Sequence, residues 1–473
     1  MKILFQKVYL LIILLPILAI GFIPLAPTPT ILSSTWQAAR LAEARGKYTE
    51  AVELYRILLD LQPEKVELWE KVGDLEIEAG QNEDAILAYQ SALQKESLSA
   101  GGIFTLAGLL QASGSNDQSL PLFQSLTESA DLTEEKYPQL VDILRQEGDL
   151  ASAEKAAEKW FKIFPEDLQA QFTVALLHLP DDPLASLENL LVVAKGDTPL
   201  SSSAKTLVDT VSTAVENENL AYSRVIIGQA LAVLGEWDIA EKAFEVAVQF
   251  SDNYAEAWAL LSDAQQHQGK DGSSALARAV SLNPDSDIVL AVQALTWRRA
   301  GQPRKALPYY QILANSDPGN PNWLMEIGAT LVEAGDLIEA LRYYQKATQL
   351  APNNPAVWRA LAQFSAANGY DPEDFALPAV DRALALDPEG LETLTTAGYV
   401  YLIAGNLIMG EQFLQQALLV DADYPPALLT IAQLYIKKNL FSQARLYLDK
   451  AAAQSENPAI AEQAVRLLDR ITP

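Results

Sequence analysis

The chain of 473 residues contains no cysteine and only two histidines, His178 and His267. The lack of cysteine excludes disulfides, thiolate metal ligands and thiol nucleophiles. Neither histidine has a second histidine at ligand spacing, so we expect both to be structural or exposed. The sequence also lacks a glycine-rich phosphate loop and a Gly-x-Ser-x-Gly elbow. These absences predict no catalytic residue, no metal site and no cofactor, and an enzyme is not expected.

Positive charge is scarce as well. The sequence has 34 Lys and Arg against 61 Asp and Glu, which gives a formal net charge of −27. A surface with that charge repels the phosphate backbone, so we expect no nucleic acid partner. The simplest interpretation of the acidity is that it keeps a large helical surface soluble. No feature of the sequence indicates a small-molecule substrate.

One long hydrophobic run stands apart from this polar composition. Residues 8–26 are almost wholly apolar, and Lys2 and Lys7 precede them. A run of this length is close to that of a membrane span, and the lysines predict a cytoplasmic N-terminus with the rest of the chain exported. The alternative is a signal cleaved near residues 19–21, which would release a secreted protein. The prolines of residues 27–30 predict a stiff spacer.

After this segment, glycine and proline recur every 34 residues. The glycines are Gly46, Gly80, Gly114 and Gly148, then Gly235 and Gly269, then Gly301, Gly335 and Gly369, and finally Gly405, which Asn439 follows at the same interval. The prolines are Pro63, Pro165 and Pro199, then Pro284, Pro318 and Pro352. Two residue types that keep one interval over this length indicate a repeat architecture.

Residues 321–354 show how one repeat is built. Ile327 lies at helical spacing with other apolar residues, and the adjacent Gly328 leaves room for a second helix to pack closely. Gly335 ends the first helix, and Pro352 ends the second because it cannot continue the hydrogen-bond ladder. A single hairpin of this kind cannot bury its apolar face, so we expect neighbouring hairpins to stack and share one core.

The repeated positions resemble the signature of the tetratricopeptide repeat family over about residues 32–458. One repeat carries it as Trp69, Val72, Gly73, Gly80, Ala85, Tyr89 and Ala92, and another as Trp358, Leu361, Ala362, Gly369, Ala383 and Pro388. The resemblance implies an all-α fold, a right-handed superhelical solenoid of about twelve helix-turn-helix units. We expect units to begin near Leu32, Val66, Ala100, Glu134, Leu168, Ala221, Ala255, Asp287, Pro321, Pro355, Leu391 and Pro425.

Departures from the interval predict the domain organisation. The fifth unit has Asp182 in place of the turn glycine, and the segment 201–220 interrupts the repeat. We expect an anchor and spacer over residues 1–31, an N-terminal stack over 32–200, an extra helix or junction over 201–220, a C-terminal stack over 221–458 and a capping helix over 459–473.

The resemblance also implies a binding surface, because the first helices of such repeats line a concave groove for extended peptides or helices. In the C-terminal units the groove positions combine apolar residues with a few cations. They are Ile288, Leu295, Arg298, Arg299, Asn322, Met325, Arg359, Gln363, Tyr399, Leu402, Gln433 and Lys437. We predict that this surface binds a segment of another protein, with Arg298, Arg299 and Arg359 meeting its carboxylates. The alternative is that these residues pack against one another.

These features predict a membrane-anchored scaffold or adaptor that mediates protein–protein interactions outside the cytoplasm. The alternative is a non-catalytic accessory or substrate-recognition subunit of a membrane enzyme or export complex. In that case the partner would hold the active site.

Overall fold

The computed structural model of the protein describes residues 29–128, 132–454 and 458–471. The predicted anchor, residues 8–26, lies outside these residues. Across the described ranges, no helix combines the length and the apolar composition that a membrane crossing requires. The chain divides into two compact units, Met1–Val208 and Asp209–Pro473.

The described residues of the first unit form five successive helix pairs. The pairs are α1 (Pro29–Ala44) with α2 (Tyr48–Leu61), α3 (Leu68–Glu78) with α4 (Asn82–Gln94), α5 (Ala100–Ala112) with α6 (Asn116–Leu126), α7 (Lys136–Gln146) with α8 (Leu150–Ile163), and α9 (Leu168–His178) with α10 (Pro183–Ala194). A further helix, α11 (Leu200–Val215), begins in the first unit and ends in the second.

Where the structure describes the second unit, its helices form seven pairs followed by one single helix. The pairs are α12 (Leu220–Val233) with α13 (Trp237–Phe250), α14 (Ala255–His267) with α15 (Ser273–Leu282), α16 (Asp287–Arg299) with α17 (Pro303–Ser316), α18 (Pro321–Glu333) with α19 (Leu337–Leu350), α20 (Pro355–Ala367) with α21 (Leu377–Leu386), α22 (Leu391–Ile403) with α23 (Leu407–Val420), and α24 (Pro425–Lys437) with α25 (Phe441–Gln454). The last helix is α26 (Pro458–Ile471). The predicted all-α fold of about twelve helical hairpins is confirmed.

The turn inside each pair explains why glycine keeps a constant interval. All ten glycines of the 34-residue series have positive φ, between 59° and 84°, and Asn439 takes φ 59° at the corresponding turn. A Cβ destabilises this left-handed conformation, which glycine and, less readily, asparagine adopt. The repeat seen in the sequence is therefore a repeat of helix C-termini.

In several pairs the two helices cross closely at a second glycine. A Cβ on Gly328 would lie 3.0 Å from the ring of Tyr344, and one on Gly73 would lie 2.9 Å from the ring of Tyr89. The missing side chain on one helix thus leaves space for the aromatic ring on the other. The ring of Tyr344 is buried in a core that continues from α16 to α22.

The turns of the fifth and tenth pairs depart from this pattern. In the fifth pair, α9 ends at His178, and Asp182 caps the next helix by accepting a hydrogen bond from the Ala185 amide at 3.1 Å. After Gly369, a π-helical turn over Pro372–Ala376 accommodates the lengthened connection before α21. Both changes affect turns, and each helix pair is kept.

Candidate functional site

The first helices of successive pairs in the second unit form a pocket of about 430 Å³. Its lining residues, which we call the groove pocket, are Met325, Ala356, Arg359, Ala360, Gln363, Glu392, Thr395, Thr396, Tyr424 and Pro426. Three of them, Met325, Arg359 and Gln363, are among the residues predicted from the sequence. The pocket combines an apolar floor with hydroxyl, amide and charged groups, as ligand sites in proteins commonly do.

Arg359 is held in place by its own chain. Its guanidinium forms an ion pair with Glu392, lies 3.9 Å from the Asp387 carboxylate and donates a hydrogen bond to the Thr393 hydroxyl at 3.3 Å. The Arg359 side chain is 16% exposed. The ion pair joins α20 to α22, so Arg359 both lines the groove pocket and connects consecutive repeats.

Arg298 forms the most extensive of these connections. It lies 2.5 Å from Glu326 and 2.6 Å from Glu333, both on α18, and its side chain is 18% exposed. The hydrogen bond to Glu333 is the main cause of the raised pKa of Arg298. An arginine is charged at any physiological pH, so the positive partner in this connection between α16 and α18 is always charged.

Arg299 points its charge towards the preceding repeat. Its guanidinium lies 2.7 Å from Asp263 on α14 and 3.4 Å from the side-chain oxygen of Gln266. All three arginines therefore bind carboxylates of neighbouring repeats. Their contact with a partner protein stays a prediction. For such a contact, the carboxylates of the partner must bind guanidinium groups that already bind carboxylates of this chain.

The remaining predicted residues occupy different environments. Leu402 is 4% exposed and belongs to the core, so its side chain does not line the groove. Gln363 donates a hydrogen bond to Thr396 at 2.9 Å, and Lys437 donates one to the Leu402 carbonyl at 3.0 Å. Asn322 is exposed, while Ile288, Leu295, Tyr399 and Gln433 are half-buried. Burial raises the pKa of the Tyr399 hydroxyl.

The sequence interpretation missed four polar residues of the groove pocket, namely Glu392, Thr395, Thr396 and Tyr424. A signal for two of them was present, because Glu392 and Thr395 are the second and fifth residues of the unit that begins at Leu391. These positions lie on the same helix face as the predicted groove residues of other units.

Models described as tetratricopeptide repeat match two parts of the chain, residues 37–100 and residues 298–364. The first match runs from the middle of α1 to the first residue of α5, and the second runs from the end of α16 into α20. The chain contains tetratricopeptide repeats. Stacks of such repeats present extended surfaces that bind other proteins.

The chain is similar to curated proteins over part of their length. A TPR repeat-containing protein of Bacillus subtilis, YpiA, is 25% identical over 210 residues, which are 44% of this chain and 44% of that protein. Cellulose synthase operon protein C of Pseudomonas fluorescens is 21% identical over 463 residues, which cover 81% of this chain and 36% of that protein. The chain thus spans less than half the length of either relative.

Among solved structures, the chain is similar to yeast Tom70. The two share 12% sequence identity with a TM-score of 0.45, and the match covers 93% of this chain and 96% of that one. This similarity is too low to bear on function.

Proposed function

We propose that the protein is a non-catalytic, membrane-anchored scaffold whose C-terminal repeats bind an extended segment of another protein. The observation that carries this proposal is the groove pocket, where one surface combines apolar and hydrogen-bonding groups along consecutive first helices. An extended segment needs both, since its side chains alternate and its backbone donors and acceptors need partners.

The lining residues suggest how the segment binds. Met325, Ala356, Ala360 and Pro426 form the apolar part of the pocket, which suits an aliphatic or aromatic side chain. The amide of Gln363 donates to the Thr396 hydroxyl and the Thr395 hydroxyl donates to the Leu391 carbonyl, so a backbone group of the segment shares these lining groups with the chain. A carboxylate of the segment shares the Arg359 guanidinium with Glu392, because a guanidinium has five N–H donors.

Anchoring and location belong to the same proposal. The apolar run of residues 8–26 anchors the chain in a membrane, and Lys2 and Lys7 keep the N-terminus in the cytoplasm. The repeats then lie outside the cytoplasm and meet partners there. Because the chain carries a charge of −27, those partners are proteins and not nucleic acids.

A second candidate function is an accessory subunit of a membrane enzyme or export complex. It is favoured by the similarity to the protein named cellulose synthase operon protein C, which extends over 81% of this chain. In this case the partner bound in the groove is itself a membrane enzyme or export component. Co-isolation of such a catalytic membrane protein distinguishes this function from a general scaffold.

A pocket-filling variant tests the proposal. Gln363→Trp places a large ring in the groove pocket, so we expect it to displace the partner segment and to lower recovery of crosslinked partner from intact cells by at least about tenfold. Leu419→Trp is the matched control, because Leu419 is 86% exposed and does not line the pocket. Equal recovery with both variants would show that the segment binds elsewhere.

A further inference from the structure

A cluster of possible metal ligands lies in the first unit, far along the sequence from the groove pocket. The Nε2 atom of His178 lies 3.1 Å from a carboxylate oxygen of Glu154 and 3.1 Å from one of Glu158. The three ligand atoms lie within 4.8 Å of one another. The glutamates lie one turn apart on α8, and His178 is the last residue of α9.

We propose that Glu154, Glu158 and His178 bind a divalent metal ion of the Zn²⁺ class. Bonds of about 2.0 Å at tetrahedral angles place neighbouring ligand atoms about 3.3 Å apart. The two distances of 3.1 Å from the imidazole nitrogen are close to that spacing. The two glutamate oxygens lie within 4.8 Å of each other, so an inward movement of these side chains admits the ion between the ligand atoms.

The ligand types select the class of metal. One imidazole and two carboxylates suit Zn²⁺ and similar transition metals, whereas Ca²⁺ and Mg²⁺ prefer oxygen ligands alone. Three protein ligands leave a fourth position of a tetrahedral site for water. His178 is 24% exposed, so an ion reaches it from solvent.

The charges of α8 act on a cation at this position in both directions. Glu154 and Glu158 share one face of α8, and like charges four residues apart destabilise a helix unless a cation lies between them. Lys155 and Lys159 follow each glutamate by one residue and line an adjacent pocket of about 280 Å³ together with Glu158. The positive charge of these lysines weakens the long-range attraction for a cation. Binding therefore depends on direct bonds between the ion and the three ligand atoms.

The position of the cluster gives the metal a structural role. It joins the second helix of the fourth pair to the first helix of the fifth pair, where α9 ends without the positive-φ glycine or asparagine of the other turns. A metal bound to both helices fixes the end of α9 at this departure from the pattern. From the sequence we expected no metal site, because the ligands lie on two helices and include only one histidine.

Zinc titration of the untagged full-length protein tests the proposal. The chain has no cysteine and two histidines, so a protein without a histidine tag has few competing sites. In competition with a zinc-binding dye, we expect one Zn²⁺ per chain and a rise in the thermal unfolding midpoint. His178→Gln and Glu158→Gln should each lower the affinity by at least about tenfold and abolish that rise.

His267→Gln is the matched control, because His267 is the other histidine of the chain and stacks on Trp237 at 3.7 Å. It should bind zinc like the wild type. A lack of saturable one-to-one binding would overturn the proposal. The same conclusion would follow if zinc bound His178→Gln with unchanged affinity, or if Ca²⁺ bound as tightly as Zn²⁺. A loss of stability in His178→Gln without any effect of zinc would indicate an ion pair alone.

Discussion

The Nη1 atom of Arg298 lies 2.5 Å from the carboxylate of Glu326, which is 28 residues further along the chain. Glu43 and Lys71 form the same connection in the first unit, also 28 residues apart and at 2.5 Å, with the charges reversed. Both pairs join the first helices of consecutive repeats. The stacking of consecutive repeats thus brings the same two positions of the repeat together in both units. An ion pair forms whichever of the two positions carries the positive charge.

Removing the charge of Arg298 should destabilise the second unit. Arg298→Gln leaves Glu326 and Glu333 without their shared partner, so we expect the free energy of unfolding to fall by about 1–2 kcal/mol. Arg342→Gln is the control, because Arg342 is 63% exposed and pairs with Glu339 one turn away. Such exposed pairs contribute about 0.5 kcal/mol or less. Equal changes in urea denaturation of the two variants would contradict the assigned role of Arg298.

Substitution of a turn glycine should be costly. Gly335 has φ 80°, so Gly335→Ala places a Cβ in the left-handed region and should destabilise the protein by about 1–2 kcal/mol. Gly319 lies just before α18 and does not have a positive φ. A Cβ added to it would meet only an oxygen of Asp317 at 3.9 Å. Gly319→Ala should therefore be neutral or stabilising by up to about 1 kcal/mol. Thermal unfolding of both variants checks the difference, and a destabilising Gly319→Ala would argue against it.

The buried carboxyl group of Glu76 should make stability depend on pH. Its side chain is fully buried, Oε1 lies 2.5 Å from Arg56, and Oε2 has no hydrogen-bond partner. Burial raises the pKa of Glu76. A raised pKa in the folded state stabilises the protein at low pH, and this contribution is lost as pH rises through the folded-state pKa.

The glutamine of Glu76→Gln cannot ionise, so the variant should not lose this stability as the pH rises. We expect the stability of the variant relative to wild type to increase as the pH rises above the usual pKa of a glutamate, as measured by urea midpoints at each pH. Glu78→Gln, an exposed position on the same helix, controls for the removal of one negative charge. A relative stability of Glu76→Gln that does not change with pH would disprove the role of this buried group.

The proposed anchor predicts how the protein distributes in cells. The full chain should stay in the membrane fraction after a carbonate wash, whereas a chain of residues 32–473 should not, because it lacks the apolar run. Protease added from outside the cytoplasm should digest the repeats of the full chain. A shortened, unanchored product of the full chain would instead indicate a cleaved signal.

The architecture could be predicted from the sequence because few residues other than glycine fit a turn with positive φ or a close helix crossing. Gly335 and Gly328 could each be interpreted from physical requirements of a single repeat. The surroundings of the arginines could not be predicted from a single repeat. Arg298 pairs with residues 28 and 35 positions away, and these partners become neighbours only through the stacking of one repeat on the next. For the same reason the contact between His178 and two glutamates on another helix was not foreseen.

A photo-crosslinking amino acid at position 363 tests the central proposal most directly, because this residue lines the groove pocket at the surface. In intact cells, we expect it to crosslink to one defined segment of a single protein, and the purified segment should bind the full chain but not the Gln363→Trp variant. The same amino acid at position 419 should give no such product. Identical products from both positions, or binding of the purified segment to Gln363→Trp with unchanged affinity, would contradict a partner site in the groove pocket.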